Sequence, residues 1–168
     1  MPTQRKSQSS IMKIDDLSVR LIQALKSTGK TVATAESCTG GGIAHALTAV
    51  PGSSSVFAGG VVSYTNAVKE RIVHVPAEVL AQYGAVSSET AVAMAKGIRE
   101  LMMTELGVSV TGIAGPDSDG SGKPVGLVYI GIASHEDVHS HKFLFSGDRA
   151  SVRAQAVQKA LELLLEKI

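Results

Sequence analysis

A strand that runs directly into a polar, glycine-bearing elbow and then a helix constrains this chain more than any other feature. Residues 31–42 read TVATAESCTGGG. Thr31, Val32, Ala33, Thr34 and Ala35 are small or β-branched and uncharged, which suits a buried strand. Glu36, Ser37, Cys38 and Thr39 then put a carboxylate, two hydroxyls and the chain's one thiol into four residues. Gly40, Gly41 and Gly42 follow, and Ile43, Ala44, His45, Ala46 and Leu47 read as the start of a helix. Glycines let the backbone approach a ligand, and free N–H groups at a helix start favour an anion. A plain βα turn would share this outline, so the stretch needs support from elsewhere.

The rest of the chain supplies the frame. Asp15 or Asp16 is expected to cap a first helix with Leu17, Leu21, Ala24 and Leu25 inward, stopped by Gly29. Residues 1–13 are polar, basic and Ser-rich, and read as a flexible tail ahead of a single domain over 14–168. Residues 56–65 form a strand with Gly59 and Gly60 near a bulge or close contact. Asn66 caps a helix over 66–73, and Pro76 opens a short one ending at Tyr83 and Gly84. Ser88 caps a longer helix reaching about Leu106, with Ala91, Met94, Ala95, Ile98, Leu101 and Met102 at helical period.

A buried strand at 108–110 ends in a second glycine-bearing loop, Thr111 to Pro116. Residues 117–123 read as a polar surface excursion. The most apolar strand, 125–133, is expected at the centre. A turn carries His135 and His139, and 142–145 lies nearer an edge. Asp148 caps a closing helix. The alternation of strands and helices gives an α/β fold, a three-layer α/β/α sandwich with a mixed, mostly parallel sheet. The short link before Lys142 allows one antiparallel pair.

Composition removes whole classes of function. With 168 residues, 44% of them hydrophobic and 18% charged, the chain can bury a proper core. A net charge of +1 gives no basic field for nucleic acid or an anionic membrane. Aromatics at 4%, with no Trp, argue against base-stacking platforms. One cysteine forms no internal disulfide, the N-terminus lacks a signal-peptide core, and no run could span a bilayer, which together point to a cytoplasmic protein.

Several tempting motifs fail. Gly120 to Pro124 is near a P-loop, but Asp117 stands where its first Gly belongs and Pro124 where its Ser or Thr belongs. Asp117, Ser118, Asp119 and Gly120 resemble a calcium loop whose Gly comes too early and whose closing Glu is Val128. His135, His139 and His141 lack the carboxylate or Cys spacing of a metal site and read as surface histidines. Gly40, Gly41 and Gly42 misplace the third glycine of a dinucleotide fingerprint. No metal and no cofactor is expected.

Three further candidates hold. Ser63 to Lys69 runs from a strand end into a helix, with Tyr64 offering a phenol and Asn66 and Lys69 spaced to share one helix side. Thr111 and Gly112 open the second loop. Ligands in open α/β sheets sit beyond the carboxyl ends of parallel strands, so strands ending at Ala35, Thr65 and Val110 would bring these loops to one edge. Arg149 and Arg153, one turn apart, could grip a phosphate or carboxylate, or simply face solvent.

The motifs AESCTGG, SYTNAVK, GAVSSET, TGIAGP, KPVG and SGDRASVR occur in this order from Asp15 onward. Together they closely resemble the CinA C-terminal family, the nicotinamide-nucleotide amidohydrolases of bacteria. The resemblance implies hydrolysis of the carboxamide of nicotinamide mononucleotide to nicotinate mononucleotide and ammonia, in pyridine nucleotide salvage. It implies Ser37 as nucleophile, with Lys69 and Tyr64 as its catalytic partners. Substrate contacts map to Thr39, Gly40, Asn66, Thr111, Gly112 and Arg149, with Arg149 or Arg153 at the phosphate. Many members carry a further N-terminal nucleotide-processing domain, and the resemblance leads us to expect a chain of the standalone-deamidase kind.

The residues agree with that chemistry. Ser37 can attack, Lys69 can take its proton, and Tyr64 can orient or relay it. Backbone N–H groups of the Gly40 and Gly41 loop can hold the oxyanion or the phosphate. The expected partner is the small-molecule substrate, with no nucleic acid and no membrane, and with room for a homo-oligomer. Two rivals share the sequence features: a catalytically silent pyridine-nucleotide-binding module, and a partner protein in competence or DNA repair.

Overall fold

The computed structural model describes residues 3–168, with side chains from Lys13 onward. The order is α1 (Thr3–Thr28), β1 (Val32–Glu36), α2 (Gly42–Thr48), β2 (Phe57–Val62), α3 (Asn66–Arg71), α4 (Ala77–Tyr83), α5 (Ser88–Met102), β3 (Leu106–Gly112), β4 (Leu127–Ala133), β5 (Val138–Leu144) and α6 (Arg149–Lys167). Of the tail expected over 1–13, Met1 and Pro2 lie outside the described residues, and from Thr3 the backbone belongs to α1. No glycine or proline interrupts residues 3–28, so no breaker obliges the helix to start at a cap further on. Asp15 and Asp16 therefore sit inside α1 and cap nothing.

The five strands form one mixed sheet in the order β2-β1-β3-β4-β5. β1 is parallel to both β2 and β3. β4 is antiparallel to both β3 and β5, so there are two antiparallel pairings where the reading expected one. The link between β3 and β4 contains no helix, and parallel neighbours need a crossover. The middle strand is accordingly β3, with β4 beside it. β5 begins at Val138, so His139 and His141 lie on an edge strand and not in a turn.

Three layers result. One face of the sheet carries Val32, Leu106, Val108, Val110, Val128, Ile130 and Ile132 against α1, α2 and α6. On the other, Ala33 and Ala35 pack with Met94 and Ile98 of α5 and with Val73 and Val75. Gly107 and Gly131 let α5 lie close, because a Cβ at either would collide with the carbonyl of Ala95 or Ala91. Ser109 Oγ donates to the Ala91 carbonyl at 2.6 Å and fixes that contact.

Local boundaries shift by a residue or more from expectation. Thr65, not Asn66, caps α3, its hydroxyl accepting the Val68 N–H at 3.3 Å. Ser87, not Ser88, caps α5 through the Thr90 N–H at 3.1 Å. α5 ends at Met102, and Leu106 already belongs to β3. The bulge expected near Gly59 is present, as Val32 pairs with Phe57 but Ala33 with Gly59.

Candidate active site

β1 connects to β2 on one side and has β3 on the other, so its C-terminal end is the sheet's switch point. Crevices at such points are where open α/β sheets bind ligands. A cavity of about 230 Å³ opens there. Its walls come from the β1 elbow (Ser37, Cys38), from Tyr64, from the loop before α5 (Ala85, Val86), from the end of β3 (Thr111, Gly112) and the loop after it (Ile113, Ala114, Gly115, Asp117, Asp119), and from Arg149.

The elbow is folded by Glu36. Its carboxylate is buried at the end of β1 and accepts three bonds from the residues that follow: Thr39 Oγ1 at 2.7 Å, the Ile43 N–H at 2.8 Å and the Ala44 N–H at 3.0 Å. The first turn of α2 thus finds its anion inside the chain, and the sequence expectation of free N–H groups at that helix start is corrected. Gly41, the N-cap, has φ 99, a conformation glycine adopts readily.

Lys69 is the buried residue of the short α3 and is only 1% exposed. Lysine is rarely that deep without a counter-ion. Here Nζ meets three uncharged oxygens: the Ser63 carbonyl at 2.6 Å, Ser37 Oγ at 3.0 Å and the Tyr64 carbonyl at 3.3 Å. Burial disfavours the ammonium and lowers its pKa from 10.5 to about 8. The ammonium's three N–H bonds suit these three oxygens; on losing a proton, Nζ keeps two N–H bonds for the carbonyls and turns its lone pair to the Ser37 hydroxyl. Burial acts oppositely on Cys38, pushing its thiol up to about 11. That disfavours the thiolate a cysteine nucleophile requires.

The remaining sequence candidates separate. Tyr64 is 57% exposed; its phenol accepts a bond from Arg149 Nη2 at 3.2 Å, and its contact with Lys69 runs through its carbonyl. Arg149 also donates to the Gly115 carbonyl at 2.7 Å, bridging the cavity rim. Arg153 instead donates to the carbonyls of Cys38 at 3.0 Å and Thr39 at 3.3 Å, outside the cavity walls. The two arginines do not converge on one point. Thr111 lines the cavity while its hydroxyl holds the Ala85 carbonyl at 2.7 Å. At Gly112 a Cβ would press on Val128 and the Leu127 carbonyl. Thr39 turns its hydroxyl to Glu36, and Gly40 and Gly41 lie outside the cavity walls. Asn66 is exposed while Lys69 points inward, so these two do not share a face.

Asp117 and Asp119 were placed on a surface excursion by sequence but contribute to the cavity wall. No local pattern in the sequence marks that position. Two of the three histidines are paired with carboxylates, His135 with Glu105 at 3.2 Å and His139 with Asp137 at 2.9 Å. Among the described residues no cluster of His, Cys, Asp or Glu is placed to hold a metal ion.

Comparison with known proteins gives one consistent result. The family model of the CinA C-terminal domain matches residues 14–168. A competence-damage inducible protein of Desulforamulus reducens is 50% identical over 141 residues, 84% of this chain and 34% of that protein. A CinA-like protein of Parasynechococcus marenigrum is 43% identical over 156 residues, 92% of this chain and 37% of that protein. The chain therefore spans about a third of the length of these curated relatives. The crystal structure of a competence/damage inducible protein from Agrobacterium tumefaciens matches with a TM-score of 0.88 at 41% identity, covering 92% of this chain and 94% of that one. A CinA superfamily protein from Escherichia coli matches at 0.90 and 34% identity, covering 92% and 90%. Fold, matched length and identity agree, and the chain belongs to the CinA C-terminal domain family.

Proposed function

We propose that the chain is a nicotinamide-nucleotide amidohydrolase, which converts nicotinamide mononucleotide and water to nicotinate mononucleotide and ammonia. The observation that carries the reading is the buried Lys69 amine, 3.0 Å from Ser37 Oγ and otherwise bonded only to two backbone carbonyls. Such a pair is a nucleophile and its base.

Neutral Lys69 takes the Ser37 proton as Oγ attacks the carboxamide carbon. The carbonyl oxygen becomes an oxyanion in the tetrahedral intermediate. Lys69, now an ammonium, gives its proton to the departing nitrogen, and ammonia leaves an ester on Ser37. Water then attacks that ester with Lys69 again as base, and nicotinate mononucleotide leaves with Ser37 restored. Arg149, at the cavity rim, is the cation available to the substrate phosphate. Tyr64 acts from the rim, by ordering Arg149, and not as a relay between Ser37 and Lys69.

Ammonia release from nicotinamide mononucleotide, measured beside its binding, tests this. The wild type should turn over, and Ser37→Ala should bind without turnover. A wild type that binds the nucleotide and releases no ammonia is a silent binding module, and one that does neither removes the substrate from the account.

A further inference from the structure

Arg153 takes no part in the steps above, yet it holds the backbone of the nucleophile elbow. From the second turn of α6 its Nε donates to the Cys38 carbonyl and its Nη2 to the Thr39 carbonyl. A peptide unit is planar and trans, so its C=O and N–H point in opposite directions. With the Cys38 carbonyl drawn to Arg153, the Thr39 N–H of the same unit is turned away from α6. The Ser37 carbonyl is likewise held, by the Gly40 N–H at 3.0 Å, which turns the Cys38 N–H away from Gly40. Among the described residues no backbone hydrogen bond uses the N–H of Cys38 or Thr39. Every other N–H from Ser37 to Ala44 except that of Gly41 is engaged. Two successive N–H groups without a carbonyl acceptor, that of Cys38 touching only its own thiol, make a concave donor site for an anion, and these directly follow Ser37.

We propose that Arg153 is a positioning residue, fixing the peptide planes after Ser37 so that the Cys38 and Thr39 N–H groups receive the oxyanion. The proposal rests on the amidohydrolase reading of Ser37. It also separates the two arginines of α6: Arg149 faces the cavity, and Arg153 supports the loop from behind. Gly40 belongs to the same fit, since a Cβ there would stand 3.2 Å from Arg153 Nη2.

Arg153→Ala and Arg153→Lys, checked for a wild-type melting profile, are compared with wild type in three measurements: turnover of nicotinamide mononucleotide, binding of nicotinate mononucleotide, and the rate at which a fluorophosphonate labels Ser37. Loss of a single oxyanion donor lowers kcat by about 100- to 1000-fold, and a loosened donor pair should cost about 10- to 100-fold. Arg153→Ala should lose that much in kcat and in labelling rate, with product affinity unchanged. Arg153→Lys, which keeps one charged donor, should recover part of both. Wild-type labelling with weakened product binding would make Arg153 a phosphate clamp and overturn the proposal, as would a wild-type kcat. If the wild type is labelled but releases no ammonia, the amidohydrolase reading fails, and the labelling rates still decide for or against Arg153. A wild type neither labelled nor active overturns both.

Discussion

Two cavities of about 230 Å³ each lie at opposite ends of the sheet. One is the site built on the β1 elbow. The other, beneath the starts of β1 and β3, is walled by Lys30, Glu105, Leu106, Ser134, His135, Glu136 and Lys167. The second holds more charge, and part of it is paired: His135 with Glu105, and Lys167 with Asp137 at 2.5 Å. At the first, a lysine without a counter-ion is buried against a serine hydroxyl. Equal volumes thus carry unequal chemistry. A lysine whose charged form burial disfavours, set against a serine hydroxyl, marks a candidate site, and exposed ion pairs do not.

The comparison breaks first at Ser37. Ser37→Ala should lower ammonia release from nicotinamide mononucleotide by at least about 1000-fold while the melting temperature holds. Lys69→Arg should lose a comparable amount, because a guanidinium stays protonated and cannot act as base. The double variant should be little worse than either single one, since residues acting as a unit are not additive. A Lys69→Arg enzyme near wild-type rate would make Lys69 an electrostatic clamp.

The pH dependence sharpens the contrast. Only neutral Lys69 can accept the proton, so kcat/KM should rise with pH and level off above about 8. Stability moves through linked windows. The folded lysine pKa lies below 10.5, so between about 8 and 10.5 the unfolded chain binds more protons and Lys69 makes stability rise with pH. Cys38 has its folded pKa raised from 9.0 to about 11, so over that range it makes stability fall. Denaturant titrations should therefore show a steeper rise with pH in Cys38→Ala than in wild type.

Arg149→Ala should raise KM for the mononucleotide about tenfold, as a charged hydrogen bond is lost from an exposed rim. It should also narrow the preference over nicotinamide riboside, and an unchanged preference would remove Arg149 from the phosphate. Cys38→Ala should keep kcat within about threefold of wild type, because the buried thiol is a poor source of thiolate. Smallest of all, His135→Ala or Glu105→Gln at the opposite cavity should leave turnover unchanged and move stability by no more than about 0.5 kcal/mol. A change in turnover there would give the second cavity a function.

The elements of the fold were readable because their periods and breakers are local. Strand β1, the α2 start, the β2 bulge and the Asp148 cap of α6 all follow from neighbouring residues. Caps slipped where two candidates stand side by side, Thr65 with Asn66 and Ser87 with Ser88, since the backbone turn decides between equivalent oxygens. The second antiparallel pairing follows from the β3–β4 loop, which holds no helix to carry a parallel crossover. In the site, the motifs named Ser37 and Lys69, but a six-residue helix has too few turns for periodicity to show that Lys69 points inward and Asn66 outward. Arg149 and Arg153 share a helix face by spacing, and only the placement of the elbow under α6 gives them different partners. Asp117 and Asp119 depend on how a long loop returns to the sheet, which no local pattern encodes.

The internal carboxylate of Glu36 has a consequence for inhibition. Helix starts are where inorganic phosphate and sulfate ordinarily settle. Beside Ser37 that berth is filled by the Glu36 carboxylate, through Thr39, Ile43 and Ala44. Simple anions at the concentrations found in cells thus have no seat on α2 from which to block the serine. The donors left to a competing anion are Arg149 at the cavity rim and, under the proposal above, the Cys38 and Thr39 N–H groups.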